Sequence, residues 1–182
     1  RAPRGLKTVR FWDLAASEPS EKTPDPDWTV GLKLGLDGTT YYIVDVRRVR
    51  RRSAGVRALV RDTAEADGEA TRIWIEQEPG ASGVDLIASY QRELEEFAVR
   101  GKRATGDKVT RADPVSARAE AGDIYIVRAD WNTSFLDELE DFPTPKTHDD
   151  QVDALSGAYA RLAKRVTPDV GPVSVTGQSA WR

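Results

Sequence analysis

The sequence contains no cysteine and no methionine, and its single histidine is His148. Without thiols there is no disulfide, no thiolate metal site and no cysteine nucleophile, a composition compatible with a reducing compartment. Any metal must therefore take oxygen ligands or the one imidazole. A natural product starts with methionine, so a chain opening Arg1-Ala2-Pro3 is expected to be a piece of a longer protein. Long apolar runs are also missing. Nothing approaches a membrane span and no charged-then-apolar signal segment opens the chain, so a soluble, non-secreted domain is expected. Finally, there is no basic excess. The formal net charge of -3 argues against coating nucleic acid by bulk attraction, while leaving local contacts open.

What is present is periodicity and clustered charge. With 182 residues the chain fits one domain with a real core. Lys7 to Ala15, KTVRFWDLA, reads as a strand, and Pro19, Pro24 and Pro26 then break a polar loop. Trp28 to Leu36 and Thr39 to Val49 flank Asp37-Gly38, which predicts an antiparallel hairpin. Ser53 to Ala66 has helical spacing, with Ser53 as N-cap and Gly68 near the stop. Thr71 to Gln77 is a short strand carrying Glu76 near its end. After the Pro79-Gly80 turn, Ser82 to Val99 shows an apolar stripe of Val84, Ile87, Leu94 and Phe97.

Further on, Lys102 to Thr105 is expected as a short strand, Lys108 to Ala121 as a helix apart from Pro114, and Asp123 to Val127 as a strand. Thr133 to Asp141 is an acidic helix closed by Pro143, and the last helix runs from about His148 to Lys164. Residues 1–166 read as the folded domain and 167–182, without periodicity, as a tail. Hairpin strands followed by alternating helices and strands indicate an α/β fold, a mixed central sheet flanked by helices. Arg47, Arg48, Arg50, Arg51 and Arg52 cluster at a strand end, as a solvated end that blunts edge pairing or as a phosphate-contacting patch.

The acids carry the chemistry. Asp13 lies inside an apolar strand, where an ionised carboxylate is costly without partners. Glu76 occupies the matching position in IWIEQ. Singly, an ion pair to Arg10 or Arg72, or an exposed strand end, would explain each. On the last helix Val152, Leu155, Tyr159 and Leu162 form the core stripe, while Asp149, Asp150 and Asp153 gather on another side. Thr147 and Asp150 approximate a capping box, and the helix dipole favours acids in the first turn. Capping leaves Asp153 unexplained. Were the three segments to converge, their charges would repel and raise one another's pKa unless cations bind. With this donor set the hard ions Mg²⁺ or Mn²⁺ fit best. Two such ions can clamp the attacking and leaving oxygens of a phosphodiester and acidify a bound water, so that no protein nucleophile is needed.

The segments RFWDLAAS at Arg10 to Ser17, IWIEQEPGASG at Ile73 to Gly83, GDKVTRADPVSARAEAGDIYIV at Gly106 to Val127, and THDDQVDALSGAY at Thr147 to Tyr159 occur in this order. Together they resemble the nuclease domain of tailed-phage terminase large subunits, the DNA-packaging motor proteins. The resemblance implies a ribonuclease H-like fold and a metal-dependent endonuclease that cuts concatemeric double-stranded DNA when packaging starts and ends. It implies Asp13 and Glu76 as catalytic metal ligands, with Asp150 ahead of Asp153 and Asp149 as the helix ligand. His148 would orient a ligand or water, or cap the helix. Lys108 and Arg111 would touch DNA phosphate or form surface ion pairs, with Arg50, Arg51 and Arg52 as a further DNA patch.

No GxxxxGK[ST] loop is present, so the N-terminal ATPase that accompanies such domains is missing from this chain. The implied partners are that ATPase, a portal protein and a small terminase subunit, in the host cytoplasm during virion assembly. A Holliday-junction-resolvase-like nuclease and a non-catalytic portal or capsid docking module are the alternatives.

Overall fold

The computed structural model describes residues 1–144 and 147–163. The predicted tail lies outside the described residues. In chain order the elements are β1 (Lys7–Asp13), β2 (Thr29–Asp37), β3 (Thr40–Val49), α1 (Ser53–Asp67), β4 (Arg72–Glu76), α2 (Ala81–Glu93), β5 (Val99–Lys102), α3 (Lys108–Glu120), β6 (Ile124–Ile126), α4 (Asn132–Asp141) and α5 (Asp150–Leu162). The strands form one mixed sheet in the order β5-β4-β1-β2-β3-β6. β1, β2 and β3 are an antiparallel meander, while β4 runs parallel to β1, β5 to β4 and β6 to β3.

Side chains alternate across a strand, so β1 serves two cores. Val9 and Phe11 pack with β2 and α5, whereas Trp12 joins α1, α2 and β4 on the other face. Asp13 shares the face of Phe11 and points toward α5. The parallel register sets Trp12 beside Ile75, so the next residues along these two strands, Asp13 and Glu76, end side by side. α5 lies across β1 and β2 and is buried almost all round. Its close approach depends on Gly157, where an added Cβ would run into the Phe11 ring. Gly157→Val is therefore expected to cost about 1–3 kcal/mol by overpacking, read as a lower urea midpoint with an unchanged slope.

Several elements differ from the sequence expectation. α2 stops at Glu93, and Val99 to Lys102, rather than Lys102 to Thr105, form the strand, because pairing with β4 sets its position from Ile73 opposite Val99 to Glu76 opposite Lys102. The buried stripe of α2 is Gly83, Ile87 and Tyr90, continued by Leu94, and it leaves Val84 exposed. α3 continues through Pro114: one lost backbone bond is outweighed by burying Ala112 and Val115 on an element packed against α5. Arg52, not Ser53, takes the N-cap position of α1, with no side-chain cap. α5 begins at Asp150 rather than His148. Among the described residues no helix is long and apolar enough to cross a membrane.

Candidate metal centre

Three elements deliver carboxylates to one open cleft of about 680 Å³, lined by Asp13, Glu76, Asp149, Asp150 and Asp153, with Lys108 and Arg111 facing them from α3. Asp13 and Glu76 arrive at the C-terminal ends of neighbouring parallel strands. Among the described residues neither forms the ion pair that would make it merely structural. Arg10 is three residues from Asp13 on the same strand and so points to the opposite face, where it binds Asp67. Arg72 stands at the far end of β4 from Glu76, about 13 Å away at 3.3 Å per residue.

The α5 acids are released from capping duty by another helix. The backbone N–H of Gln151 donates to Glu138 Oε1 of α4 at 2.6 Å, and the Gln151 amide donates to Glu138 Oε2 at 2.6 Å. Thr147 instead donates its hydroxyl to the Thr144 carbonyl, and Asp149, at the N-cap position, makes no capping bond. The expected capping box is thus absent, because Glu138 satisfies the helix start from outside. Asp149, Asp150 and Asp153 are left to face the cleft. Asp150 and Asp153 are nevertheless buried, at 7% and 6% exposed, so their charge needs compensation.

Partial compensation comes from α3. Lys108 Nζ donates to Asp149 Oδ1 at 2.6 Å and lies 3.1 Å from Asp153 Oδ2, and Arg111 pairs with Asp153. Burial alone would lower the Lys108 pKa, but the hydrogen bonds it donates to these aspartates hold it above the usual lysine value. Two cations do not balance five acids. Burial, then repulsion from Glu76, Asp150 and Asp153, pushes the Asp13 carboxyl well above its ordinary value. Burial and the charge of Asp153 raise Glu76 as well. Asp150 is pushed up to about 6, mainly by burial, although it accepts the Trp28 backbone N–H at 3.2 Å.

His148 sits on the rim. Its Nε2 is 2.9 Å from Asp25 Oδ2, and its Nδ1 is 3.5 Å from Asp150 and 3.8 Å from Asp27. Asp27, His148 and Asp150 present ligand atoms that all lie within 4.8 Å of one another. Asp25 and Asp27 escape the sequence reading. Their signal is the alternation Pro24-Asp25-Pro26-Asp27 directly before β2, where stiff backbone holds acids at a strand mouth.

The arginine run is largely engaged. Arg50 pairs with Asp25 and contacts His148 at 2.9 Å, Arg52 binds Glu18 at 2.8 Å, and Arg51 is exposed. Arg48 and Arg50 both lie over the Trp28 ring, at 4.1 and 3.9 Å from its centre. Two residues of the expected DNA patch, Arg50 and Arg52, therefore already hold acids of the loop between β1 and β2.

The geometry has relatives. The domain of the human cytomegalovirus terminase nuclease, soaked with manganese, superposes with a TM-score of 0.66 at 13% identity, over 87% of this chain and 84% of that one. The nuclease domain of the phage P22 large terminase gives 0.63 at 14%, over 90% and 86%. The large terminase nuclease of the thermophilic phage G20c, with bound zinc, gives 0.58 at 19%, over 84% and 81%. At such identities the likeness is one of fold. No curated protein matches the sequence. The family profile of the terminase RNaseH-like domain matches residues 10–162, and the chain belongs to that family, with its ribonuclease H-like fold, among the described residues a mixed six-stranded sheet flanked by five helices.

Proposed function

We propose that this domain is a metal-dependent endonuclease that cuts concatemeric viral DNA at the start and end of genome packaging. The observation that carries the reading is the excess of buried carboxylate over cation in one cleft, with Asp13 at its centre. An all-oxygen donor set with raised pKa values suits a hard divalent cation. Asp13, Glu76 and Asp150 would hold Mg²⁺ or Mn²⁺, with Asp153 and Asp149 beside them. When bound, two such ions supply positive charge to the phosphodiester oxygens and acidify water, which removes the need for a protein nucleophile. Manganese and zinc in the cytomegalovirus and G20c relatives support a divalent ion here.

The chain's own groups do the rest. Asp13 and Glu76 are fixed by strands, so their carboxylates keep their spacing without substrate. Lys108 and Arg111, one turn apart on α3, now neutralise Asp149 and Asp153. Once those carboxylates turn to a cation, both side chains face the cleft with unused donors, the chemistry that recognises phosphate. His148 holds Asp150 and Asp25 against the rim and positions them. In the intact motor we place residues 1–166 as the nuclease, 167–182 as a tail, and the ATPase part, the portal protein and the small subunit as neighbours, in the host cytoplasm.

Supercoiled plasmid incubated with the domain should be nicked and then linearised in Mn²⁺ or Mg²⁺ and left intact in EDTA, with 5′-phosphate and 3′-hydroxyl ends and weak sequence preference. Intact plasmid in both metals, together with a flat Mn²⁺ titration by calorimetry, would overturn the reading.

A further inference from the structure

Beside the acidic cleft lies a second cavity of about 250 Å³. Glu76, Arg111 and Asp153 line both spaces and form the wall between them. Beyond that wall the charge reverses. Lys102 at the end of β5, Arg103 in the loop after it and Arg161 in the last turn of α5 line the cavity, and among the described residues no carboxylate lines it other than the two in the wall. Among the described residues these three cations have no ion-pair partner, whereas Arg10, Arg48, Arg50, Arg52 and Arg118 all do.

Two buried polar atoms in the lining are also unpartnered. The Ser156 hydroxyl belongs to a residue only 4% exposed and has no hydrogen bond, and Nε of the half-buried Arg161 is likewise shielded from solvent and without a hydrogen-bond partner. Buried polar groups are normally satisfied, so an orphan hydroxyl and an orphan guanidinium nitrogen in one cavity mark a missing acceptor. The Arg161 guanidinium is held over the Trp74 ring at 5.0 Å, which restricts its position before any ligand arrives. Phe11, Pro114, Gly157 and Ala160 supply an apolar floor.

We infer that this cavity is a phosphate subsite for DNA, taking a backbone phosphate adjacent to the scissile one, with Lys102, Arg103 and Arg161 as cations and Ser156 as hydroxyl donor. The identity of the ligand rests on the nuclease reading. A strand whose scissile phosphate lies over the acids meets this cavity next, across a wall of three side chains, and the apolar floor suits the sugar. Contacts of this kind set the register of a strand without reading bases. Acid-paired Arg50 and Arg52 offer no comparable free charge.

The test measures binding of a short fluorescein-labelled duplex to the full chain by anisotropy, in calcium and across a KCl series, alongside plasmid cleavage in Mn²⁺. Lys102→Ala/Arg103→Ala is expected to weaken binding about tenfold or more and to reduce the salt slope by about 0.9, the value for one lost phosphate contact. Ser156→Ala is expected to weaken binding several-fold without lowering the melting temperature, since it removes an unsatisfied group. Arg92→Ala, on α2, serves as the control with unchanged affinity. Unaltered affinity and slope in the double variant, while the wild type cuts plasmid, would overturn the subsite and leave the nuclease reading standing. Loss of duplex affinity in the double variant of a chain that neither cuts plasmid nor binds Mn²⁺ would uphold the cavity as a DNA phosphate site and overturn the nuclease. A wild type that binds no duplex at low salt would overturn the subsite.

Discussion

Asp13→Asn is expected to remove plasmid nicking in Mn²⁺ by about 10³-fold or more, some 4 kcal/mol of barrier, and yet to melt at a higher temperature than the wild type when both are kept in EDTA at pH 8. The two halves have one cause. Asp13 is an acid whose pKa the fold raises, first by burial and then by Glu76, Asp150 and Asp153, with only Lys108 pulling the other way. For such a group the folded state disfavours the ionised form. The penalty is absent below about pH 4, grows as pH rises toward the folded value and is constant above it. An isosteric amide escapes the penalty. Asp150→Asn follows the same sign: its carboxyl stands at about 6 against an ordinary 3.8, which caps the gain at about 3 kcal/mol, reached above pH 6 and gone below pH 4. Manganese should invert the order. The wild type gains about 2.7 kcal/mol at a hundred times its Kd, and Asp13→Asn does not. Differential scanning fluorimetry with and without Mn²⁺ reads this crossing directly, and a variant that melts below the wild type in EDTA would make Asp13 a structural anchor rather than a ligand.

The same cost of burying charge explains what could be read from the sequence. Asp13 and Glu76 stood out because each follows an apolar strand, and the strand register brings those two ends together. Asp153 stood out because a capping pair of Thr147 and Asp150 leaves it unexplained; with α5 starting at Asp150 it lies in the first turn, facing the cleft. The hairpin of β2 and β3 was legible from Asp37-Gly38, and α5 from its apolar stripe, since both signals are local. β5 was not legible at its true position: Val99 to Lys102 has four residues and no alternation of its own, and it is a strand because β4 offers it an edge. The extent of α2 failed for a related reason. A stripe through Val84 and one through Gly83 differ by one residue, and only the sheet beneath decides which is buried.

Long-range polar partners were the other blind spot. Glu138 supports the start of α5 from thirteen residues away, and no local pattern announces that. The loop acids Asp25 and Asp27 reach His148 across the fold. Lys108 and Arg111 were expected to touch DNA phosphate or to form ion pairs, and without metal they pair with the acids of the cleft. Each relationship joins residues far apart in sequence, where spacing carries no information.

Arg10 gives the opposite expectation to Asp13, although three residues separate them. It is 1% exposed, and it donates to Asp67 through Nε at 2.8 Å and Nη2 at 3.0 Å and to the Gly31 carbonyl through Nη1 at 2.9 Å, with Asp45 at 2.8 Å. Arg10→Met is expected to lower stability at pH 7 by about 3–5 kcal/mol, because it strands Asp67 in the core with only Lys33 beside it. Burial alone would raise the Asp67 carboxyl, but the hydrogen bonds and charge of Arg10, with Lys33, hold it below the ordinary 3.8. A depressed acid stabilises the fold above about pH 4 and loses that contribution as pH falls through its folded value. The gap between variant and wild type should therefore be widest at neutral pH and narrow toward pH 3 in urea titrations. Arg10→Met/Asp67→Leu leaves no unpaired acid there and should recover most of the loss. A single variant within about 1 kcal/mol of the wild type would mean that water already reaches Asp67 and that the pair carries little. Because Arg10 faces α1 and Asp13 faces α5, plasmid nicking by the folded Arg10→Met protein should match the wild type: one face of β1 holds charge that the fold needs, and the other holds charge that the fold resists and the reaction uses.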